Sequence, residues 1–548
     1  MRKTVWIPTT VIAVLAGALI VETSLRTTTL SRDSLIADVR QFTSTVESVH
    51  PDPYYNVGGK IEWQRSVQEV ISRIPESGMS REEFYWLLCP LVTSLGDAHT
   101  WLRSPDKFSS GLPLYLAVAA DGIFVAGVPS EEYRTLLGAR LISIQGTPIR
   151  EIIERAYAFV SAENEFQVLR NLGGTGMLFN MWFLDRLVPE CQGQENVYVT
   201  FSRADGTIMT RTLTCSEYGG LGSYTWITTR CSLPSTERSD FTYTFLDSSK
   251  QTALLVVNGL NTYREAFEMW QNEGRFSDCA GEAADLYQRY NSADPPEDDE
   301  VAVIAGLPSA TETFISMCQE MKQAGTRSLI VDLRRCEGGN SAMAEILTYC
   351  LYGKEQLLNI EARQIEVLRC SPTYLERHPG VSLEDISRLQ GVTIDTGDYV
   401  FDPVELESDR EEVDMRFREW AGTMPTFYSE YMSGKYGGYY LPKNVYVLSS
   451  VYTFSSGFTV MYYLYRAGAT IVGVPSAQAG NCFGEATGFE LENSGLHFTV
   501  SCKYFENFSD DPAKGRVLFP NYPLTYEIMA SYDFDANASL LYAQDLAK

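Results

Sequence analysis

The sequence predicts a multidomain α/β protein, and three observations carry that expectation. The chain has 548 residues, enough for about three domains of ordinary size. Its early segments repeat apolar residues at helical spacing, whereas residues 112–214 change to short strand-like runs. Beyond residue 240, short apolar runs alternate with helical segments, the pattern of buried strands joined by crossover helices. The 45% hydrophobic fraction supports sizeable cores and excludes a disordered or fibrous chain.

At the start, Arg2 and Lys3 precede Val5–Val21, a run without a charge, and Glu22 closes it. A short basic region before an apolar stretch is the order of an export signal. Residues 1–24 are therefore expected to be a signal peptide or a membrane anchor, and the protein to be exported, secreted or anchored outside the cytoplasm. No later segment reads as long and apolar enough to span a bilayer.

Residues 31–105 read as an N-terminal helical segment. Arg81-Glu-Glu-Phe-Tyr-Trp-Leu-Leu has helical spacing, and Ser80 with Glu83 forms a capping box. Residues 110–216 form a β-rich module. Leu114–Val118, Ile123–Val128 and Ala139–Ile144 read as strands, and Ile149–Phe159 as a helix. Asp205-Gly206 marks a hairpin between Val197–Phe201 and Ile208–Leu213. Glu217–Thr242 reads as a linker.

Residues 240–548 form the α/β core. Ala253–Val257, Val301–Ile304, Ser328–Leu333, Val445–Leu448 and Thr470–Val474 read as buried strands. Thr311–Lys322 and Phe458–Arg466 read as helices. Stretches near 263–300 and 371–438 read as insertions, the second a solvated, acidic surface.

The formal net charge is −26, which repels phosphate backbones and excludes nucleic acid as a partner. Eleven cysteines leave at least one thiol unpaired within the chain, and no C-x-x-C pair occurs. With four histidines and no H-E-x-x-H, the sequence offers no metal site and calls for no cofactor.

Chemistry concentrates in two loops. Val451-Tyr-Thr-Phe-Ser-Ser-Gly-Phe458 lies between a strand and a helix, placing Ser455 at a helix N-terminus, where unpaired N–H groups favour an oxyanion. A helix cap is the competing role for Ser455. Val331-Asp-Leu-Arg-Arg-Cys-Glu-Gly-Gly-Asn-Ser341 follows a strand, and its paired glycines allow close backbone approach. It lacks both G-x-x-x-x-G-K-[ST] and G-x-G-x-x-G. Among the histidines, His50 reads as a turn residue, His378 lies in an insertion and His497 on a strand. His99 closes Leu95-Gly-Asp-Ala-His-Thr100.

These segments resemble the C-terminal-processing serine peptidases, in particular their tricorn-core-like branch. Leu95–Thr100 resembles the family's G-D-x-H-T, and Gly138–Pro148 part of its PDZ-like module. Ile330–Ser341 resembles the D-L-R-x-N-x-G-G-N-S loop, and Val445–Val474 the strand–serine–helix segment. The resemblance implies an N-terminal helical segment, a PDZ-like module and a ClpP/crotonase-like catalytic core.

It also implies Ser455 as nucleophile and His99 as general base, with Gly338, Gly339 and the Ser456 N–H as the oxyanion hole. No lysine occurs from Asn444 to Cys502, which disfavours the serine–lysine branch, whose base lies in the turn after the helix. The carboxylate partner of His99 is assigned to Glu506, with Asp510 and Asp511 as competitors; Asn521 stands where relatives commonly show aspartate. The sequence departs from the family at Gly457-Phe458 and at Arg335-Cys336-Glu337.

The expected function is a serine endopeptidase cleaving polypeptides outside the cytoplasm. The alternative is a catalytically inactive peptide- or ligand-binding protein on the same scaffold.

Overall fold

A computed structural model describes residues 29–105, 110–217, 221–378, 380–402 and 410–548. The export segment expected at 1–24 lies outside the described residues. The chain divides into two compact units.

The first unit contains residues 29–105, 157–161 and 485–502. Its helices are α1 (Arg32–Val49), α2 (Lys60–Ser72) and α3 (Arg81–Thr93). The expected capping box starts α3: Ser80 Oγ accepts from the Glu83 N–H, and Glu83 reaches back to the Ser80 N–H. Apolar residues three or four apart put Leu35, Val39, Phe42 and Val46 on one buried face of α1. Phe42 packs edge-on against Phe498, with ring centroids 5.2 Å apart. The buried Asp38 carboxylate accepts from the Asn493 and Ser494 N–H groups at 3.0 and 2.7 Å.

The second unit contains residues 110–156, 162–484 and 503–548. A seven-stranded sheet lies in its early part. It includes β1 (Tyr115–Ala119), β2 (Gly122–Val128), β3 (Arg140–Ile144), β4 (Asn196–Ser202) and β5 (Ile208–Thr214). Between β3 and β4 lie α4 (Ile149–Ala156) and α5 (Glu165–Leu172). Asn164 caps α5 by accepting from the Phe166 N–H at 2.9 Å. The β4–β5 hairpin turns at Gly206, whose φ of +84° suits glycine. The Glu217–Thr242 stretch is not wholly irregular: Thr225 and Trp226 pair with Val128 and Gly127.

The central sheet has six strands. They are β6 (Phe241–Phe245), β7 (Thr252–Val257), β8 (Ser328–Asp332), β9 (Asn444–Ser449), β10 (Thr470–Gly473) and β11 (Tyr522–Pro523), in that order. All neighbours are parallel except β6 and β7. Alternate residues enter opposite cores. Leu255, Val331 and Val447 pack with α6 (Ala310–Ala324), α7 (Ala342–Glu361) and α8 (Ser456–Arg466). Leu254, Ile330 and Leu448 pack with Leu540 and Ala543 of α9 (Ala538–Leu546). Burial on both faces explains why these strands read as continuous apolar runs.

Three expectations are corrected here. Val301–Ile304 is not a strand but part of the helix Glu300–Ala305, which Asp299 caps by accepting from the Ala302 N–H at 2.9 Å. The run Glu300–Ala324 is long and apolar enough by composition to cross a bilayer, against the sequence reading. It forms two helices around Pro308 instead, and their apolar sides enter the core. The stretch 371–438 is not simply solvated: Phe417, Phe427 and Tyr431 join the main core, with Tyr349 and Phe427 edge-on at 5.6 Å. No disulfide links the cysteines; nine are buried and act as small core residues.

Candidate active site

Two loops at the carboxyl ends of β8 and β9 meet in the second unit. After β8, Arg334 turns back on its own strand and donates to Asp332 through Nε at 2.9 Å and Nη2 at 2.6 Å. That fork also reaches the Asn537 side chain at 3.0 Å, anchoring the glycine loop on the segment before α9. Further along, Asn340 donates its N–H to Leu260 O at 3.0 Å, and its side-chain oxygen accepts from the Tyr263 hydroxyl at 2.8 Å. The loop between these anchors carries Gly338 and Gly339, with φ of +122° and +135°. Only glycine takes these values without strain.

After β9, the chain turns sharply before α8. Thr453 Oγ1 donates to Leu333 O at 2.9 Å, and Ser450 Oγ to Arg334 O at 2.6 Å. Both bonds tie the serine turn to the glycine loop. Phe454 N–H adds a third, to Cys336 O at 3.0 Å. Gly457 must be glycine here, because a Cβ would lie 2.1 Å from Cys336 O.

Ser455 sits at the top of this turn with φ 52° and ψ −129°. Such a conformation is strained for any residue with a Cβ and persists only where its surroundings enforce it. The capping role is overturned, since the Ser455 side chain makes no cap hydrogen bond to α8. The residue is half-buried, and its own N–H donates to Gln478 Oε1 at 2.6 Å. A Cβ on Gly338 would lie 2.7 Å from Ser455 Cβ and 3.2 Å from its Oγ, so the glycine backbone lies directly against the serine.

Ser456 opens α8, where its N–H has no intrahelical acceptor, and its Oγ donates to Gly339 O at 2.5 Å. The structure thus brings Ser455, Ser456, Gly338 and Gly339 together. The buried Cys336 thiol lies beneath them, pushed up to about 12 by desolvation, although the facing Gly338 N–H pulls it down.

His99 belongs to the first unit, in the loop after α3. Asp97 builds that loop: its Oδ1 accepts from the His99 N–H at 2.8 Å, and its backbone oxygen from the Thr100 N–H at 3.1 Å. The strand His497–Glu506 clamps the loop within this unit, with Thr499 Oγ1 donating to His99 O at 2.6 Å and Thr100 Oγ1 accepting from the Ser501 N–H at 3.0 Å. His50 lies at the turn that ends α1. It is fully buried, and its Nε2 lies 3.3 Å from Asp97 Oδ2. The Asp52 N–H donates to His50 Nδ1, which leaves Nε2 as the protonated nitrogen facing Asp97. Burial raises the Asp97 carboxyl, but His50, then His99 and Thr100, outweigh it and hold it down at about 2.

Glu506 ends the strand His497–Glu506 in the second unit, where it pairs with Ile365. That pairing puts it in a different sheet from β9, whose end carries Ser455. The competing carboxylates have other partners. Asp510 faces Arg466 at 3.4 Å, and Asp511 caps a short helix through the Lys514 N–H. Asn521 accepts from the Ile471 N–H at 2.8 Å, a structural bond. His378 stacks on Tyr374, and His497 lies 3.8 Å from Glu490.

Sequence reasoning missed four side chains. Gln478 stands in the same turn, 474–485, whose lack of lysine disfavours the serine–lysine branch. Asp97 was legible beside His99, but nothing local marks its bond to His50. Glu163 accepts from the N–H groups of Ala479 and Phe483 at 3.1 and 3.3 Å, pinning that turn from a distant segment. Arg170 pairs with Glu337 at 2.9 Å, a contact that only the tertiary fold creates.

Residues 301–515 match the family model described as peptidase family S41. The chain is similar in structure to mature CPAF complexed with lactacystin, at 15% identity and a TM-score of 0.52, over 94% of this chain and 98% of that one. It is likewise similar to a point mutant of CPAF, at 15% identity and a TM-score of 0.53, over 94% and 97% of the two chains. At this identity the likeness establishes the fold. No curated protein matches the sequence.

Proposed function

We propose that this chain, whose residues 301–515 match the peptidase family S41 model, is a serine peptidase in which Ser455 attacks peptide carbonyls with His99 as general base. The S41 match supports the serine-type peptidase class, and the pairing of these two residues extends it. The observation that carries it is the strained, uncapped Ser455 pressed against the Gly338 backbone.

In this mechanism His99 takes the Ser455 proton as Oγ attacks and later returns it to the leaving amine. The developing oxyanion is held by the Ser456 N–H at the α8 terminus together with the N–H groups of Gly338 and Gly339. Glu506 is proposed as the carboxylate that fixes the His99 tautomer. The module around β1–β5 is proposed to be PDZ-like and to seat a peptide by strand addition. Action outside the cytoplasm is part of the proposal and rests on the composition of Arg2–Val21.

The departures from the family's loops at Arg335-Cys336-Glu337 and Gly457-Phe458 favour a second reading, a non-cleaving scaffold that binds peptides. Hydrolysis of unfolded polypeptides by the purified protein, with the S455A and H99Q variants beside it, separates the readings. The peptidase reading expects turnover lost in S455A and reduced by about 10²-fold or more in H99Q. E506Q assigned to the same assay tests the third member. Peptide binding without Ser455-dependent turnover establishes the scaffold reading instead.

A further inference from the structure

The charged pair beside the nucleophile belongs to neither the oxyanion hole nor the base. Arg170, on α5, places its guanidinium 5.0 Å from the Phe454 ring and 5.5 Å from the Tyr452 ring. Phe454 is the residue before Ser455, so the arginine lies over the face of the serine turn. Its Nη2 lies 2.9 Å from Glu337 Oε2, and Glu337 precedes Gly338. One cation thus touches both loops of the candidate site.

The two ends of this pair are unequal. The Arg170 side chain is 19% exposed and held between aromatic faces, whereas Glu337 is 59% exposed. Stacking fixes a guanidinium without consuming its in-plane N–H donors. A largely exposed carboxylate holds its partner weakly, because water competes for both charges. The arginine is therefore a fixed element and Glu337 a displaceable one. A substrate carboxylate entering beside Ser455 would meet a planar fork matched to its two oxygens. The background sharpens this: 70 acidic against 44 basic residues make a positioned, half-buried cation next to the nucleophile an uncommon local attractor.

We propose that Arg170 is the specificity-determining residue of a subsite that takes an acidic side chain of the polypeptide substrate, with Glu337 as its stand-in when no substrate is bound. The proposal rests on Ser455 being the reacting group, since that reading makes the neighbouring surface a substrate site. On binding, the substrate carboxylate replaces Glu337 at the fork and Glu337 turns to water. The exchange conserves one ion pair and leaves the aromatic stack in place.

The test uses fluorescent peptides that differ only by Glu or Gln at one position, scanned along the sequence. Binding is measured on full-length S455A protein, and cleavage on protein with Ser455 intact. The expected result is one position at which Glu is preferred over Gln by about tenfold, the size of one charge-assisted hydrogen-bonded contact. R170Q should bind the Glu and Gln peptides equally, R170K should keep part of the preference, and E337Q should enlarge it by removing the competitor. No Glu preference at any position, or a preference that survives R170Q, overturns the proposal. If R170Q is misfolded by thermal unfolding, E337Q decides alone: an unchanged or smaller preference refutes it. Binding to S455A reads the subsite without chemistry. Absence of turnover in protein with Ser455 intact, with the Glu preference present, therefore condemns the nucleophile reading and not the subsite.

Discussion

Substituting Gly338 by alanine probes the contact on which the candidate site is built. The new Cβ would lie 2.7 Å from Ser455 Cβ and 3.2 Å from Phe454 O. Carbon atoms in ordinary contact sit about 3.5–4.0 Å apart, so the glycine loop and the serine turn must separate by about 1 Å. The φ of +122° adds backbone strain of about 1–3 kcal/mol for a residue with a Cβ. A misplacement of about 1 Å at a reacting group is worth about 10²-fold in rate. The second-order rate of labelling by a fluorophosphonate, with a urea unfolding curve for each variant, measures both effects.

Gly146→Ala is the control. Its φ is +85°, yet an added Cβ there meets nothing within 4 Å. G146A should lose stability and label at the rate of the parent. G338A should lose stability and label about 10²-fold more slowly. Labelling of G338A at the parent rate, or equal slowing in G146A, refutes the reasoning.

Three further outcomes follow from the same geometry. Asp97 is held at about 2 against an ordinary 3.8, so it contributes about 2 kcal/mol that is present above pH 3.8 and lost as pH falls towards 2; the stability of D97N should lack that acid limb in urea titrations across the range. Burial, reinforced by the Glu361 charge, holds the Glu345 carboxyl well above its usual range. Its contribution is therefore present below about pH 4.5 and lost as pH rises, so E345Q should gain on the parent in Tm with increasing pH, whereas parallel curves contradict the assignment. Removing the Gln478 oxygen leaves the Ser455 N–H without its 2.6 Å acceptor; Q478A should slow fluorophosphonate labelling by about tenfold, the equivalent of one hydrogen bond at a strained turn, while leaving the fold intact by circular dichroism.

Much of the scaffold was legible because its signals are local. The strands β7, β8, β9 and β10 announce themselves as apolar runs, since both faces of the central sheet are covered. Ser80 and Glu83 mark the start of α3 within four residues. Gly338 and Gly339 were legible as a pair needing positive φ, although only the fold shows that one of them presses on Ser455.

What failed to read was long-range. Val301–Ile304 has the composition of a strand, and the Asp299 cap turns it into a helix. Phe417, Phe427 and Tyr431 are scattered through an acidic stretch, so their shared burial against Tyr349 has no period to reveal it. His50 looked like a turn residue beside Pro51; its burial against Asp97 joins positions 47 residues apart. The cap explanation for Ser455 was reasonable from sequence, and the missing side-chain hydrogen bond to α8 excludes it.

The central claim is that Ser455 is an activated nucleophile. Its most direct test is to treat the full chain with a fluorophosphonate, digest it and locate the adduct by mass spectrometry. The account predicts a single adduct on the Ser455 hydroxyl, absent from S455A and formed far more slowly in H99Q. An adduct on another residue, or equal labelling of S455A, contradicts it.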